Sequence, residues 1–166
     1  MRKLFIAVTC ITFLASCSKK NPTIYENDTE PHEWIGQTSI TQVANSHSGK
    51  SASLIDSLNP YSLGLQKKIK DINGGKFKTI IFSYWVFIKS DSIKAYTVLS
   101  VDYEGKNLNW EGHPLKDKIK ERNKWVQVNE TFTLPPTAEP DNNITLYVWN
   151  PLKEEVLIDD LRIVFN

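Results

Sequence analysis

The chain has 166 residues, with 20 basic and 19 acidic side chains, three histidines and a formal charge of +1. That length supports one core of ordinary size. So balanced a charge argues against nucleic acid as a partner, because displacing phosphate counterions needs an excess of Lys and Arg. Both cysteines, Cys10 and Cys17, fall within the first 17 residues, leaving the rest without a thiol for catalysis, a disulfide or a thiolate metal centre.

At the start, Arg2 and Lys3 precede an apolar run from Leu4 to Leu14. The run is too short to span a bilayer and has the length of a signal-peptide core. It ends Leu14-Ala15-Ser16-Cys17, which resembles the bacterial lipobox. That resemblance implies a lipoprotein signal peptide over 1–16, cleavage after residue 16, and Cys17 as the lipidation site. The membrane becomes a partner through lipid, and the expected location is the cell envelope, at the outer membrane, a sorting with which Ser18 is compatible. Several acyl chains on one cysteine give a stable anchor where one chain binds weakly. The leader carries two basic residues and no acidic ones, so outside it acidic side chains exceed basic ones by one. Residues 17–32 are polar, broken by Pro22 and Pro31, and read as a flexible tether. Residues 33–166 read as one folded domain.

From Trp34 onward the hydrophobic period is two. Phe77 to Ile88 is dense in β-branched and aromatic residues and reads as a strand covered on both faces. Ile93 to Tyr103 alternates, with Ala95, Thr97, Leu99 and Val101 on one face and Tyr96, Ser100 and Asp102 on the other. Trp125 to Leu134 places Val126, Val128, Phe132 and Leu134 together. Asn143 to Trp149 does the same with Ile144, Leu146 and Val148. Val156 to Phe165 reads as a closing strand with Leu157, Leu161, Ile163 and Phe165 in one row. Turns fall at Asn73-Gly74-Gly75, at Glu104 to Asn107, and from Pro135-Pro136 to Asp141-Asn142. The best helical segment, Leu115 to Lys124, has only Leu115 and Ile119 as an apolar pair and amounts to a short surface turn. The fold class expected is all-β, an antiparallel β-sandwich or jelly roll.

Several segments carry a family resemblance. Ala44 to Ser53 resembles the Ser-Gly-Lys turn near the start of jelly-roll carbohydrate-binding modules of the galactose-binding-like fold. Phe82-Ser83-Tyr84-Trp85-Val86 resembles one of their inner strands, and Lys124 to Val128 with Phe132 to Pro135 is similar to another. Leu146 to Asn150, followed by Val156 to Leu161, looks like their closing pair. The resemblance covers most of residues 34–166 in the right order and implies a galactose-binding-like jelly roll. Asp56-Ser57-Leu58 and Asp91-Ser92-Ile93 also resemble the O-glycosylation acceptor of some Bacteroidetes, which the leader suits.

Catalysis finds little support in these residues. Asp159-Asp160 are adjacent on a strand and so point to opposite faces, whereas a glycosidase needs two carboxyls facing each other across a bond. His32, His47 and His113 fall in loops, far apart, with no metalloprotease spacing. The resemblance implies one structural calcium between the first strand, the early turn and the last strand, with Glu33, Lys50 through its carbonyl, and Asp159 as ligands. Calcium takes six to eight oxygens. Asp159 on an apolar row needs either such a cation or hydrogen-bond donors, among them backbone N–H groups and Arg162.

Aromatic rings are the usual sugar platforms. Trp85, Trp125 and Trp149 occupy framework positions of the resemblance and read as core. Trp110 lies in a polar loop, and Tyr96 and Tyr147 occupy the polar faces of their strands. With His113, these form the expected ligand-binding set, the alternative being ordinary cross-strand ring pairing. The chain therefore reads as a lipid-anchored, non-catalytic envelope protein that binds glycan through an aromatic-lined face. The alternative is a structural or protein-docking lipoprotein of the same fold, whose partner is an envelope protein.

Overall fold

The computed structural model describes residues 21–29, 34–91, 93–152 and 154–166. Cys17, His32 and Glu33 lie outside the described residues. Among the described residues ten strands form: β1 (Thr23–Asn27), β2 (Ile40–Gln42), β3 (Ser51–Ile55), β4 (Leu65–Lys68), β5 (Thr79–Ile88), β6 (Tyr96–Tyr103), β7 (Lys106–Pro114), β8 (Trp125–Thr133), β9 (Asn143–Trp149) and β10 (Val156–Phe165). Short 3-10 turns are the only helical elements among the described residues, one of them at Leu115–Asp117. Leu115 and Ile119 are buried there, so that segment anchors to the core rather than lying on the surface.

One sheet runs β2-β3-β10-β5-β8, with β1 also against β10, and the other runs β4-β9-β6-β7. All strand pairs are antiparallel. From β8 onward each strand lies in the other sheet from its predecessor, the crossing connectivity of a jelly roll. The fold is the expected antiparallel β-sandwich.

Alternation builds the core. Ile80, Phe82, Tyr84, Val86 and Ile88 of β5 face inward and are fully or almost fully buried. Leu99 and Val101 of β6, Leu146 and Val148 of β9, and Ile163 and Phe165 of β10 join the same cluster. Each such side chain contributes about 1.5–3 kcal/mol by leaving water. One polar link joins the sheets inside: the Tyr84 hydroxyl on β5 lies 2.5 Å from Thr97 Oγ1 on β6. Burial holds that phenol far above its ordinary pKa, so it stays neutral.

Three expectations about the strands need correction. Thr23–Asn27, read as tether, is β1, because Tyr25 packs its ring against Phe165 while the backbone pairs with Leu161 to Phe165. Residues 107–113, read as a polar loop, lie in the edge strand β7, where one side of the ladder meets solvent and apolar alternation is not required. The closing strand also changes phase. Val156 and Ile158 face the core before a register shift between Asp159 and Arg162, and Leu161, Ile163 and Phe165 face it afterwards. Asp160 sits at that bulge with φ +48°. Leu157 and Asp159 therefore belong to the outward face, beside the strand partners Phe87 and Trp85.

Candidate functional site

The outward face of the four-stranded sheet collects rings from three strands and one loop. On β6, Tyr96 points outward because Thr97 and Leu99 point in. On β9, Ile144, Leu146 and Val148 are buried, which leaves Tyr147 and Trp149 outward. Trp149 pairs with Tyr96 across the ladder, with the rings stacked at 5.9 Å between centroids. Trp110 of β7 meets Tyr96 at 6.3 Å and Trp149 at 5.9 Å, edge-on to both. The segment before β4 brings in Tyr61, bridged to Trp149 through the backbone and held 5.7 Å from Tyr147.

Gly112 makes the position of Trp110 possible. A Cβ there would stand 2.3 Å from the indole ring, so the absent side chain lets Trp110 lie along its own strand. Trp110 and Tyr61 remain 45% and 51% exposed, a large apolar area to leave in water without a partner. Tyr61, Trp110, Tyr147 and Trp149 enclose an open groove of about 350 Å³, within the ordinary range of ligand sites. Burial raises the Tyr147 phenol above its usual value, opposed by a hydrogen bond from Trp110.

Further along the same face the lining turns polar. Ser100 Oγ donates to Asp102 Oδ2 at 2.6 Å, and Asn107 Nδ2 donates to Asp102 Oδ1 at 3.0 Å. Gln66 Nε2 donates to Thr145 Oγ1 at 3.1 Å. Rings that accept sugar C–H groups thus adjoin amide, hydroxyl and carboxylate groups that can meet sugar hydroxyls.

The structure brings together three of the four expected ligand-binding residues, Trp110, Tyr96 and Tyr147. His113 is elsewhere, on the opposite face of β7. Its ring stacks on Phe132 at 4.4 Å, and its Nδ1 and Nε2 lie 2.9 Å from Glu130 and Glu111. Glu130 is 3% exposed and also meets Lys118 at 3.4 Å, so this cluster seals the side of the sandwich where β7 and β8 form the sheet edges. Trp149 and Tyr61 were missed. Alternation in β9 already places Trp149 with Tyr147, and this signal outranks the framework resemblance that assigned it to the core.

Trp85 and Trp125 are not core either. Both face outward on the six-stranded sheet, and His47 stacks on Trp85 at 3.9 Å while touching Trp125 edge-on. Trp125 Nε1 donates to the Asn45 carbonyl at 3.1 Å. The turn from Asn45 to Ser48 is thereby clamped over Asp159 and Asp160.

The bulge sends both carboxylates to this turn, contrary to the expectation that neighbours diverge. Asp159 Oδ2 accepts from His47 N and Ser48 N at 2.9 and 3.1 Å, and Oδ1 accepts from Thr29 Oγ1 and Asp160 N at 2.9 and 2.8 Å. Asp160 takes the Ser48 hydroxyl and the His47 ring nitrogen, each at 2.5 Å. Asp159 is wholly buried. Burial raises its pKa above the ordinary value, opposed by the donors from Ser48, Thr29 and Asp160.

Calcium fits this arrangement poorly. The neighbours of the Asp159 carboxylate point hydrogens at it, and those hydrogens repel a cation. The Lys50 carbonyl accepts from Val43 N at 3.1 Å. No group of three or more His, Cys, Asp or Glu among the described residues is arranged to hold a metal. The donors satisfy the buried carboxylate as a cation would.

No family model matches this sequence, and a sequence search of curated proteins finds no relative. Solved structures do match. The CBM22-2 xylan-binding domain of Paenibacillus barcinonensis Xyn10C superposes with a TM-score of 0.56 at 11% identity, covering 86% of this chain and 99% of that one. Its CBM22-1 counterpart gives 0.52 at 16% identity, over 88% and 96%. The C-terminal family 22 carbohydrate binding module of Clostridium thermocellum Xyn10B gives 0.51 at 12%, over 85% and 92%. At these identities the likeness establishes the fold: this chain is a jelly-roll β-sandwich of the architecture used by carbohydrate-binding modules.

Proposed function

We propose that this chain is a non-catalytic, lipid-anchored envelope protein whose jelly-roll domain binds a neutral glycan on the outward face of its four-stranded sheet. The observation that carries this reading is the contiguous cluster of Tyr61, Tyr96, Trp110, Tyr147 and Trp149, left open to solvent beside Asp102, Asn107 and Gln66. A sugar stacks its C–H face on such rings, and its hydroxyls meet the polar groups next to them. The fold neighbours named as xylan-binding make xylan the first polysaccharide to try. Supporting the non-catalytic part, Asp159 and Asp160 are both bound into the loop clamp and do not face each other across an open cleft.

The test is calorimetric titration with xylohexaose and mannohexaose, together with affinity electrophoresis in xylan and other neutral polysaccharides. Saturable binding that quenches tryptophan fluorescence and is lost in Trp149→Ala supports the reading. Absence of binding across that panel overturns it in favour of protein docking. The anchor rests on the Leu14-Ala15-Ser16-Cys17 motif. Metabolic labelling with palmitate should mark the wild-type protein, and Cys17→Ala should lose the label and leave the membrane fraction.

A further inference from the structure

The outward row of β6 runs on past the aromatic cluster. Ile93 and Ala95 are buried, so Lys94 leaves the sheet on the same side as Tyr96. On β7, Pro114 is the strand partner of Tyr96, and Leu115 turns into the core, which leaves Lys116 beside the same ring. Asp91, Ile93, Lys94, Tyr96, Pro114 and Lys116 together line a groove of about 370 Å³. Tyr96 is common to this groove and to the cluster, since its ring also meets Trp110 at 6.3 Å and Trp149 at 5.9 Å. One ring thus joins the two.

The charge of this groove is one-sided. Among its lining residues the one carboxylate is Asp91, and Arg122 already pairs with it at 2.8 Å. Among the described residues the lysines that meet a carboxylate are Lys70, Lys89, Lys118 and Lys124, so Lys94 and Lys116 stand without an ion-pair partner there. Glu111 and Glu130 meet His113 on the opposite face of β7. Asp102 lies toward the other end of β6, about 20 Å from Tyr96 at the rise of an extended strand.

Two exposed ammonium groups are too weak to retain a free anion, because an exposed ion pair changes an affinity by about fivefold at most. The anion must arrive on a ligand that something else retains, and the adjoining rings retain a sugar by stacking. Lysine also suits a side group that swings, since its ammonium is a compact point charge on a flexible stem. We infer that the glycan taken by the aromatic face has a neutral main chain bearing an acidic side group, a uronate carboxylate or a sulfate ester, which Lys94 and Lys116 receive beside Tyr96. The inference rests on the aromatic-face reading and adds the class of glycan to it. A chain acidic at every sugar fits poorly, because its repeated charge would also meet Asp102.

The experiment is calorimetric titration of the full-length protein at about 0.01 M and about 1 M sodium chloride, between which the Debye length falls from roughly 30 Å to roughly 3 Å. Xylohexaose and mannohexaose are each titrated plain and carrying a single sulfate ester, and xylohexaose also carrying a single glucuronate. At low salt an acidic form should bind about fivefold to tenfold tighter than its plain counterpart, and at high salt the two should bind alike. A preference for either the glucuronate or the sulfate form supports the inference and identifies the side group. In the double variant Lys94→Gln with Lys116→Gln, the ratio of the two affinities should fall to about one. Trp149→Ala should lose both forms, because the lysines do not retain the ligand alone. Equal binding of plain and acidic forms at low salt would overturn the inference and leave the aromatic face standing. A preference that survives in the double variant, or acidic binding that survives Trp149→Ala, would overturn it as well. If no probe binds the wild-type protein, the aromatic-face reading falls and takes this inference with it.

Discussion

The two outward faces of this sandwich carry the same kind of residue to different ends. On the four-stranded sheet, Tyr96, Trp110 and Trp149 pack their rings on one another, and Trp110 and Trp149 line an open groove with Tyr61 and Tyr147. On the six-stranded sheet, Trp85 and Trp125 stand at equally outward positions, but the turn from Asn45 to Ser48 lies over them. A strand tryptophan facing outward is thus left open to solvent or clamped under a loop depending on what passes above it. The decisive element is the bulge at Asp159 and Asp160, which presents two carboxylates to the backbone and side chains of that turn. Rings and hydroxyl groups are left open on one face. On the other they are taken up by the turn.

The largest effect is expected from removing the clamp. Asp159→Ala leaves the Thr29 hydroxyl and three backbone N–H groups facing a void in a buried place. Such a loss costs about 3 kcal/mol and lowers the melting temperature by roughly 6–12 °C in a domain of this size. Calorimetric melting measures it. A loss below about 1 kcal/mol would mean that the turn is held by the tryptophans alone. Because four donors already occupy the carboxylate, EDTA or added calcium is expected to move the wild-type melting temperature by less than about 1 °C, and a rise of several degrees with calcium would mean that the cation displaces them.

On the other face, Trp149→Ala should leave stability nearly intact and remove binding. Its ring contacts two of the other four, so a loss of about 2 kcal/mol, roughly 30-fold in Kd, is expected for a central aromatic anchor. Gly112→Ala is subtler. The new methyl would overlap the Trp110 indole, which must swing away, and binding should weaken by about tenfold with little change in melting. If Gly112→Ala binds as well as wild type, Trp110 is a bystander and the platform is Trp149 with Tyr96.

The sandwich was legible in the sequence because most of its strands alternate cleanly. Ile144, Leu146 and Val148 mark an inward row, and Phe82, Tyr84 and Val86 mark another. The misses have physical causes. β7 is an edge strand open to solvent, so Asn107 to Trp110 needs no apolar face to pair. β1 is five residues long and gains its place from one ring, Tyr25 on Phe165, a contact that no local pattern announces. In β10 the extra residue at the bulge breaks the period, which is why Leu157 read as core and Asp159 as its neighbour. Trp110, Tyr96 and Tyr147 could be found by asking which rings sit among polar residues. Tyr61 could not, since only the backbone bridge to Trp149 brings it in.

The smallest effect separates the two faces by pH. Burial raises the Asp159 pKa above its unfolded value near 3.9, so its contribution to stability is fully present below about pH 4 and is lost as pH rises through the folded value. Asparagine at this position does not titrate. The stability deficit of Asp159→Asn relative to wild type should therefore shrink as pH goes from about 4 to 7, by an amount that urea melts at each pH can resolve. The deficit of Trp149→Ala should stay level over the same range, because an indole carries no titratable proton there and burial pushes the neighbouring Tyr147 phenol up, away from that range. If instead the Asp159→Asn deficit widens with pH, the four donors outweigh burial. The carboxylate is then stabilised as an anion, and its four donors more than offset the cost of burying its charge.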